Sequence, residues 1–175
     1  AVTVKQKVEE AFDWTLDCAG IEMLAVQTIN GAVTYTGATQ NEITIHADKV
    51  VKAPDQAIAE AFARQVELRI EPQAGVLRIY ADYPRPPRNV GVQVTFAIHG
   101  PRTINITAQS TNGHVAVTGV EGEVHAQSTN GEVQLQELTG WVEGKSTNGN
   151  VHAEQLTLTA ASHFTSQNGA LVINV

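Results

Sequence analysis

The four-residue motif Ser-Thr-Asn-Gly is the strongest indication of the fold, because it recurs at nearly constant spacing through the second half of the chain. Three identical copies and one looser copy are Ser110-Thr111-Asn112-Gly113, Ser128-Thr129-Asn130-Gly131, Ser146-Thr147-Asn148-Gly149 and Ser166-Gln167-Asn168-Gly169. Successive glycines are 18, 18 and 20 residues apart, and a separate Thr28-Ile29-Asn30-Gly31 stands far upstream. A fixed period of this length indicates stacked supersecondary units.

Apolar residues recur in columns at fixed distances from each motif glycine. Two residues after it stand Val115, Val133, Val151 and Leu171, and four residues after it stand Val117, Leu135, Ala153 and Ile173. Each coil therefore holds two short strands separated by a glycine-containing corner such as Gly119-Val120-Glu121-Gly122. Strands of ~5–6 residues extend ~17–20 Å, which suits a flattened coil. The pattern predicts an all-β fold, a β-solenoid or β-helix with coils of 18 residues.

The alternative is an antiparallel β meander or sandwich, because Asn-Gly is also the signature of a tight hairpin turn. In a meander, residues one period apart lie on strands that are not neighbours, so nothing physical favours their identity. In a solenoid they lie ~4.8 Å apart, and stacked asparagines can form a hydrogen-bonded ladder. Glycine beside asparagine would permit the positive φ of a sharp corner. The predicted turn and ladder residues are Asn30, Gly31, Asn112, Gly113, Asn130, Gly131, Asn148, Gly149, Asn168 and Gly169.

The rest of the chain is expected to join the coils in one repeat-built β domain over residues 1–175. We expect strands in 1–53, one helix at 54–65, a hairpin and connecting strands in 66–109, and the Asn-Gly coils in 110–175. The hairpin strands are predicted at 66–70 and 76–80 around a loop at 71–75, with a further turn at 99–102. Ile58, Ala61, Phe62 and Gln65 form the predicted apolar stripe of the helix, which would cover an edge or face of the sheets.

Composition excludes several classes of function. A formal charge of −7 argues against nucleic-acid binding, which needs a basic surface. Cys18 is the single cysteine, so no intrachain disulfide can form. No apolar run approaches the ~18 residues that span a bilayer. The first residues lack the regions of a signal peptide, so we expect either an intracellular protein or a sequence that begins after a removed export segment.

Candidate chemistry-bearing residues fall into repeating columns and do not converge. His125 shares a column with Glu143, but a zinc site needs three or four ligands. The motif serines occur in four equivalent copies at corners, which indicates side-chain-to-backbone turn bonds instead of a nucleophile. We therefore predict no catalytic residue, no metal site and no cofactor.

Three side chains are candidates for surface contact. Trp141 follows the corner glycine Gly140, where it would either lie exposed for a glycan or protein contact or fold over its own corner. Arg85 and Arg88 lie in a proline-rich stretch, where they would either converge with Arg102 on an anion or carboxylate site or serve solubility.

The order of these features resembles the putative-adhesin family of bacterial cell-envelope proteins, a domain of unknown function. The resemblance runs from about Phe12 to Val175 and includes the strand-Asn-Gly-strand start, the helix after Ile43-Thr44-Ile45-His46-Ala47-Asp48-Lys49, the hairpin, the proline loop and the Ser-Thr-Asn-Gly repeats. It implies a β-helical, exported envelope or surface domain with no assigned catalytic residues.

The sequence thus favours a non-enzymatic binding or scaffold module that contacts an unknown protein or glycan at the cell envelope. One alternative is a self-assembling solenoid that associates through its last strand, 171–175. A second alternative is a β-helix enzyme acting on polysaccharides, which would need paired carboxylates on one face.

Overall fold

The computed structural model describes residues 6–175, and within them an all-β fold forms two mixed sheets and one short helix, α1 (Gln56–Ala63). The strands before the repeats are β1 (Gln6–Asp17), β2 (Met23–Asn30), β3 (Val33–Ala38), β4 (Glu42–Ala53), β5 (Glu67–Gln73), β6 (Val76–Asp82) and β7 (Gly91–Pro101). The repeat strands are β8 (Asn105–Asn112), β9 (Val115–Thr118), β10 (Glu121–Ser128), β11 (Val133–Gln136), β12 (Thr139–Ser146), β13 (Val151–Glu154), β14 (Thr157–Leu158), β15 (His163–Ser166) and β16 (Leu171–Asn174).

The two sheets share one core. Sheet I has the strand order β1-β4-β7-β3-β9-β11-β13-β16, and sheet II has the order β14-β12-β10-β8-β2-β6-β5 with β15 also beside β12. Buried apolar residues of both sheets form a single cluster. The predicted all-β class with one helix is confirmed, and two sheets over a common core agree with the sandwich alternative. Neighbouring repeat strands, however, pair in parallel and not as an antiparallel meander.

Residues one period apart are direct partners on neighbouring strands. Val133 pairs with both Val115 and Val151 in sheet I, and Val124 pairs with Val142 in sheet II. All five side chains are fully buried. The recurrence of valine in the sequence therefore reflects a column in which each side chain packs on its own equivalent.

The last sequence repeat is two residues longer because its strand in sheet II is interrupted. β12 pairs first with β14 and then with β15, and residues 159–162 lie between them. The interruption would leave a backbone donor of β12 without a strand partner, but the Ser162 hydroxyl accepts from Val142 N at 3.0 Å. This insertion explains why the last glycine spacing is 20.

The motif glycines are required by space and not by backbone conformation. Of the five Asn-Gly glycines, Gly31 alone has a positive φ, so the expected role in a left-handed corner is wrong for the other four. A Cβ on Gly131 would lie 2.1 Å from the carbonyl oxygen of Gly113, and one on Gly149 would lie 2.2 Å from that of Gly131. Any side chain at these positions would push neighbouring coils apart.

Upstream of the repeats, strands run further than predicted. The hairpin strands β5 and β6 continue almost to the turn at Ala74-Gly75, because Pro72 is accommodated on an edge strand where its missing N–H costs no ladder bond. β7 continues through the predicted turn at 99–102 as far as Pro101, paired with β3. The part of the predicted strand region before Gln6 lies outside the described residues.

The helix is shorter than predicted and buries a different face. The Asp55 carboxylate caps it by accepting from Ala57 N at 2.7 Å. Its buried residues are Ala59, Phe62 and Ala63, whereas Ile58 is 46% exposed, so the predicted stripe is wrong except at Phe62. The helix packs on β4 and β1. Within residues 6–175, no helix is long and apolar enough to cross a membrane.

Lys49 ties the end of the helix to β4. Its side chain is 6% exposed, and its Nζ donates to the carbonyl oxygens of Ala63 at 2.9 Å and Val66 at 3.2 Å. A carboxylate oxygen of Glu10 on β1 lies 3.4 Å away. The buried ammonium group is thus paired and hydrogen-bonded, as a buried charge must be.

Replacing Gly131 with alanine should destabilise the fold by about 1–3 kcal/mol, because the new Cβ meets backbone that cannot move without separating two coils. Chemical denaturation measures the change in the free energy of unfolding. Gly91→Ala is the matched control, since a Cβ there meets nothing within 4 Å, and it should stay within about 0.5 kcal/mol of the parent. Equal stability of the two variants would contradict the close-stacking explanation.

Candidate functional site

The motif asparagines form a continuous hydrogen-bonded ladder along the stack. Each side-chain amide donates to the side-chain oxygen of the asparagine one coil earlier. The Nδ2–Oδ1 distances are 2.7 Å from Asn168 to Asn148, 2.8 Å from Asn148 to Asn130, 2.7 Å from Asn130 to Asn112 and 2.7 Å from Asn112 to Asn30. The ladder therefore includes Asn30, which is 82 residues from its partner in the chain.

The motif serines form a second ladder beside the first. Their hydroxyl groups donate to the glycine carbonyl oxygens one coil earlier, at 2.7–2.8 Å, in the pairs Ser110 to Gly31, Ser128 to Gly113, Ser146 to Gly131 and Ser166 to Gly149. The first three serines are also buried. Their hydroxyl groups are engaged in the backbone of the stack, an arrangement unlike that of a catalytic serine facing a histidine base.

Strand β7 accepts the hydrogen bonds at the end of both ladders that lies nearest the N-terminus of the chain. Thr28 takes the place of the motif serine, and its Oγ1 donates to Val94 O at 2.7 Å. Asn30 Nδ2 donates to Val92 O at 3.2 Å. A Cβ on Gly31 would lie 2.1 Å from Val94 O, the same clash that the later glycines would make with the coil before them. The backbone of β7 thus accepts the hydrogen bonds that the preceding Asn-Gly motif accepts elsewhere.

Trp141 lies on the outer face of sheet II, against the neighbouring strand. It pairs in register with Glu123, and its ring centroid is 4.4 Å from that of His125 at an angle of 56°. His125 Nδ1 in turn lies 4.0 Å from a carboxylate oxygen of Glu143. The indole is partly buried and packs against the imidazole of His125.

A second histidine with carboxylate neighbours, His46, lies on the outer face of sheet I. His46 lies between two carboxylates, with Nδ1 at 2.8 Å from Asp13 Oδ1 and Nε2 at 3.2 Å from Asp48 Oδ1. The hydrogen bond with Asp13 raises the pKa of His46, and the nearby Asp48 charge adds to the effect. Among residues 6–175, no group of three or more histidine, cysteine or acidic side chains is arranged to hold a metal ion.

Arg85 and Arg88 lie in the exposed loop between β6 and β7, and no ion pair within residues 6–175 involves either one. Sequence reasoning missed a row of outward glutamines on sheet II, Gln27, Gln109 and Gln127. The sequence contains a signal for this row, because each of the three glutamines directly precedes the serine or threonine that begins a copy of the motif.

Comparison with known proteins adds a fold but not a family. No family model matches the chain, and no curated protein matches it. A solved structure of a putative cell adhesion protein from Clostridium sporogenes ATCC 15579 is similar, with a TM-score of 0.56 and 9% identity over 95% of this chain and 99% of that chain. The two chains share a fold.

Further solved structures described as adhesins are less similar. A putative adhesin from Bacteroides fragilis NCTC 9343 gives a TM-score of 0.34 and 11% identity, over 95% of this chain and 97% of that chain. One from Parabacteroides merdae ATCC 43184 gives 0.29 and 10%, over 95% and 96%.

Replacing Asn130 with alanine removes two ladder hydrogen bonds, one donated and one accepted, whereas replacing Asn168 removes the single bond that it donates within the described stack. At about 1 kcal/mol for each bond, Asn130→Ala should lower the free energy of unfolding about twice as much as Asn168→Ala. Denaturant titration of both variants checks this. An equal or smaller loss for Asn130→Ala than for Asn168→Ala would contradict the contribution of the ladder bonds to stability.

Proposed function

We propose that this chain is a non-enzymatic binding module of the bacterial cell envelope or cell surface. The observation that carries the proposal is the double ladder of asparagine and serine hydrogen bonds, which holds the strands in register and gives both sheets regular, polar outer faces. A rigid face of this kind is suited to contact with an extended partner. The fold shared with a putative cell adhesion protein supports the same reading.

The finer architectural proposal is that the repeat half is a β-solenoid with coils of 18 residues. Two features support it: neighbouring repeat strands pair in parallel, and their partners are one period apart. Stability in such an array is approximately a sum of contributions from each coil and each coil–coil contact. An exported location belongs to the same proposal, because a surface binding module has to reach the envelope.

The distribution of chemical groups supports binding over catalysis. The serine hydroxyls are bonded to backbone, and His125 has a single carboxylate neighbour at 4.0 Å. A polysaccharide-acting enzyme places two carboxylates on either side of the bond that it cleaves. The repeat acids Glu121, Glu123, Glu132, Glu137, Glu143 and Glu154 are instead spread over corners and both sheets.

The proposal predicts that the purified chain sediments with isolated bacterial envelopes in a saturable manner. Envelopes from one Gram-positive and one Gram-negative bacterium serve as the two probes, and unlabelled chain should displace labelled chain. A cytosolic β-protein of similar charge is the control for trapping. Absence of saturable binding to both preparations would overturn the envelope assignment.

A second candidate function is self-assembly, and one observation favours it. The core columns open to solvent at β16, where Leu171 is 46% exposed and Ile173 is 38% exposed, although their equivalents one coil earlier are fully buried. Residues 155–175 contain no Asp, Glu, Lys or Arg. The outer strands at the opposite ends of the sheets, β1 and β5, carry the charges and the proline that discourage pairing.

Self-assembly predicts that the apparent mass in light scattering rises with concentration and that Leu171→Lys reduces this rise. Ile58→Lys is the matched control, because Ile58 is equally exposed at 46% but lies on the helix. A strict monomer at high concentration, or equal effects of the two variants, would count against association through this strand.

A further inference from the structure

The outer face of sheet II carries a row of side-chain amides that crosses the strands at right angles. Gln27 on β2 pairs with Gln109 on β8, which pairs with Gln127 on β10. Tyr80 on β6 extends the row at one end and Lys145 on β12 at the other. With ~4.8 Å between strands, the row spans ~19 Å.

The row lies in a shallow trough. Three neighbouring cavities of about 80, 80 and 180 Å³ lie along the row, and each is lined by at least two of its residues Tyr80, Gln27, Gln109 and Gln127. The small side chain of Ala25 contributes to the first cavity beside Tyr80. His125 and Glu143 line the last cavity, and Trp141 packs against His125 next to it.

The amides of the row are available to a ligand. None of the three glutamine side chains forms a hydrogen bond with another group among residues 6–175. A side-chain amide both donates and accepts, as a sugar hydroxyl does. Tyr80 at one end of the row adds a surface on which the apolar face of a sugar ring can stack. Trp141, four residues before Lys145 on β12, offers a second aromatic ring to one side of the row.

Charge and polarity distinguish a glycan from other partners. One anion, Glu143, and two cations, Lys145 and Arg78, lie around the trough, so its charge is mixed and it has no basic stripe for a nucleic acid. It also has no apolar centre of the kind that protein interfaces bury. An uncharged chain with many hydroxyl groups satisfies the amides without leaving a charge unpaired.

We propose that this trough binds an extended, linear glycan that lies along the row Tyr80–Gln27–Gln109–Gln127–Lys145 and crosses the strands. The site is assembled by the parallel register, because the same register that stacks the core columns aligns the outward amides. The proposal rests on the proposed binding function and assigns its ligand class and its face. A straight row favours ribbon-like chains over helically curved ones.

The first experiment measures binding of defined tetrasaccharides by calorimetry or by NMR shift changes. Cellotetraose and chitotetraose are the ribbon-like probes, and maltotetraose is the curved one. We expect binding of at least one ribbon-like probe that is at least tenfold tighter than binding of maltotetraose. Failure of both ribbon-like probes to bind, or equal binding of all three, would overturn the proposal.

A matched pair of double variants assigns the face. Gln109→Ala with Gln127→Ala should weaken binding of the ribbon-like probe at least tenfold. Gln134→Ala with Gln136→Ala places the same substitutions on β11, in sheet I, and should leave binding unchanged. Thermal unfolding of both variants verifies that the fold is retained. Unchanged binding by the first pair would overturn the assignment of the trough.

The envelope assay separates failure of this inference from failure of the proposed function. Protease removes proteins from the envelope preparation, and an excess of the ribbon-like tetrasaccharide competes for a glycan site. We expect this competitor and the Gln109/Gln127 double variant to reduce sedimentation, and protease treatment to leave it intact. Binding that protease abolishes and the competing tetrasaccharide spares would overturn the glycan site while the envelope-binding function stands.

Discussion

The close approach of one motif glycine to the next is the constraint on which the structure depends. A Cβ on Gly131 would lie only 2.1 Å from the carbonyl oxygen of Gly113, so the two backbones can come this close only because Gly131 has no side chain. This proximity lets Ser128 donate to the Gly113 carbonyl and Asn130 donate to Asn112, both at 2.7 Å. One steric condition therefore permits two ladders, and the ladders in turn fix the register of both sheets.

Register is also what connects the fold to its surface chemistry. Because a strand presents alternate side chains to opposite faces, alignment of the buried columns aligns the outward ones as well. Val124 over Val142 in the core accompanies His125 over Glu143 and Gln127 over Lys145 on the outside. A face built this way is periodic and has only shallow cavities, which suits recognition of an extended polymer better than enclosure of a small substrate.

The ends of the stack are treated differently. At the end of the ladders formed by Thr28 and Asn30, carbonyl oxygens of β7 accept hydrogen bonds from these two side chains. Beyond it, β4 and β1 pair antiparallel, and α1 packs on both. At the other end, β16 leaves Leu171 and Ile173 partly exposed. The same physical rule, that a stacked strand needs a partner above and below, explains both the cap and the exposed edge.

The period of the repeat, its apolar columns and the identity of the ladder residues could all be predicted from the spacing of residues in the sequence. This was possible because residues one period apart pack on one another and are therefore similar. The steric reason for the glycines could not be predicted, because the close approach of one motif glycine to the next is visible only in the paired strands. The position of Asn30 was decided by tertiary structure, since its partner is 82 residues away. The helix face was likewise set by packing on β1 and β4 and by the Lys49 bonds to Ala63 and Val66, which no periodicity encodes.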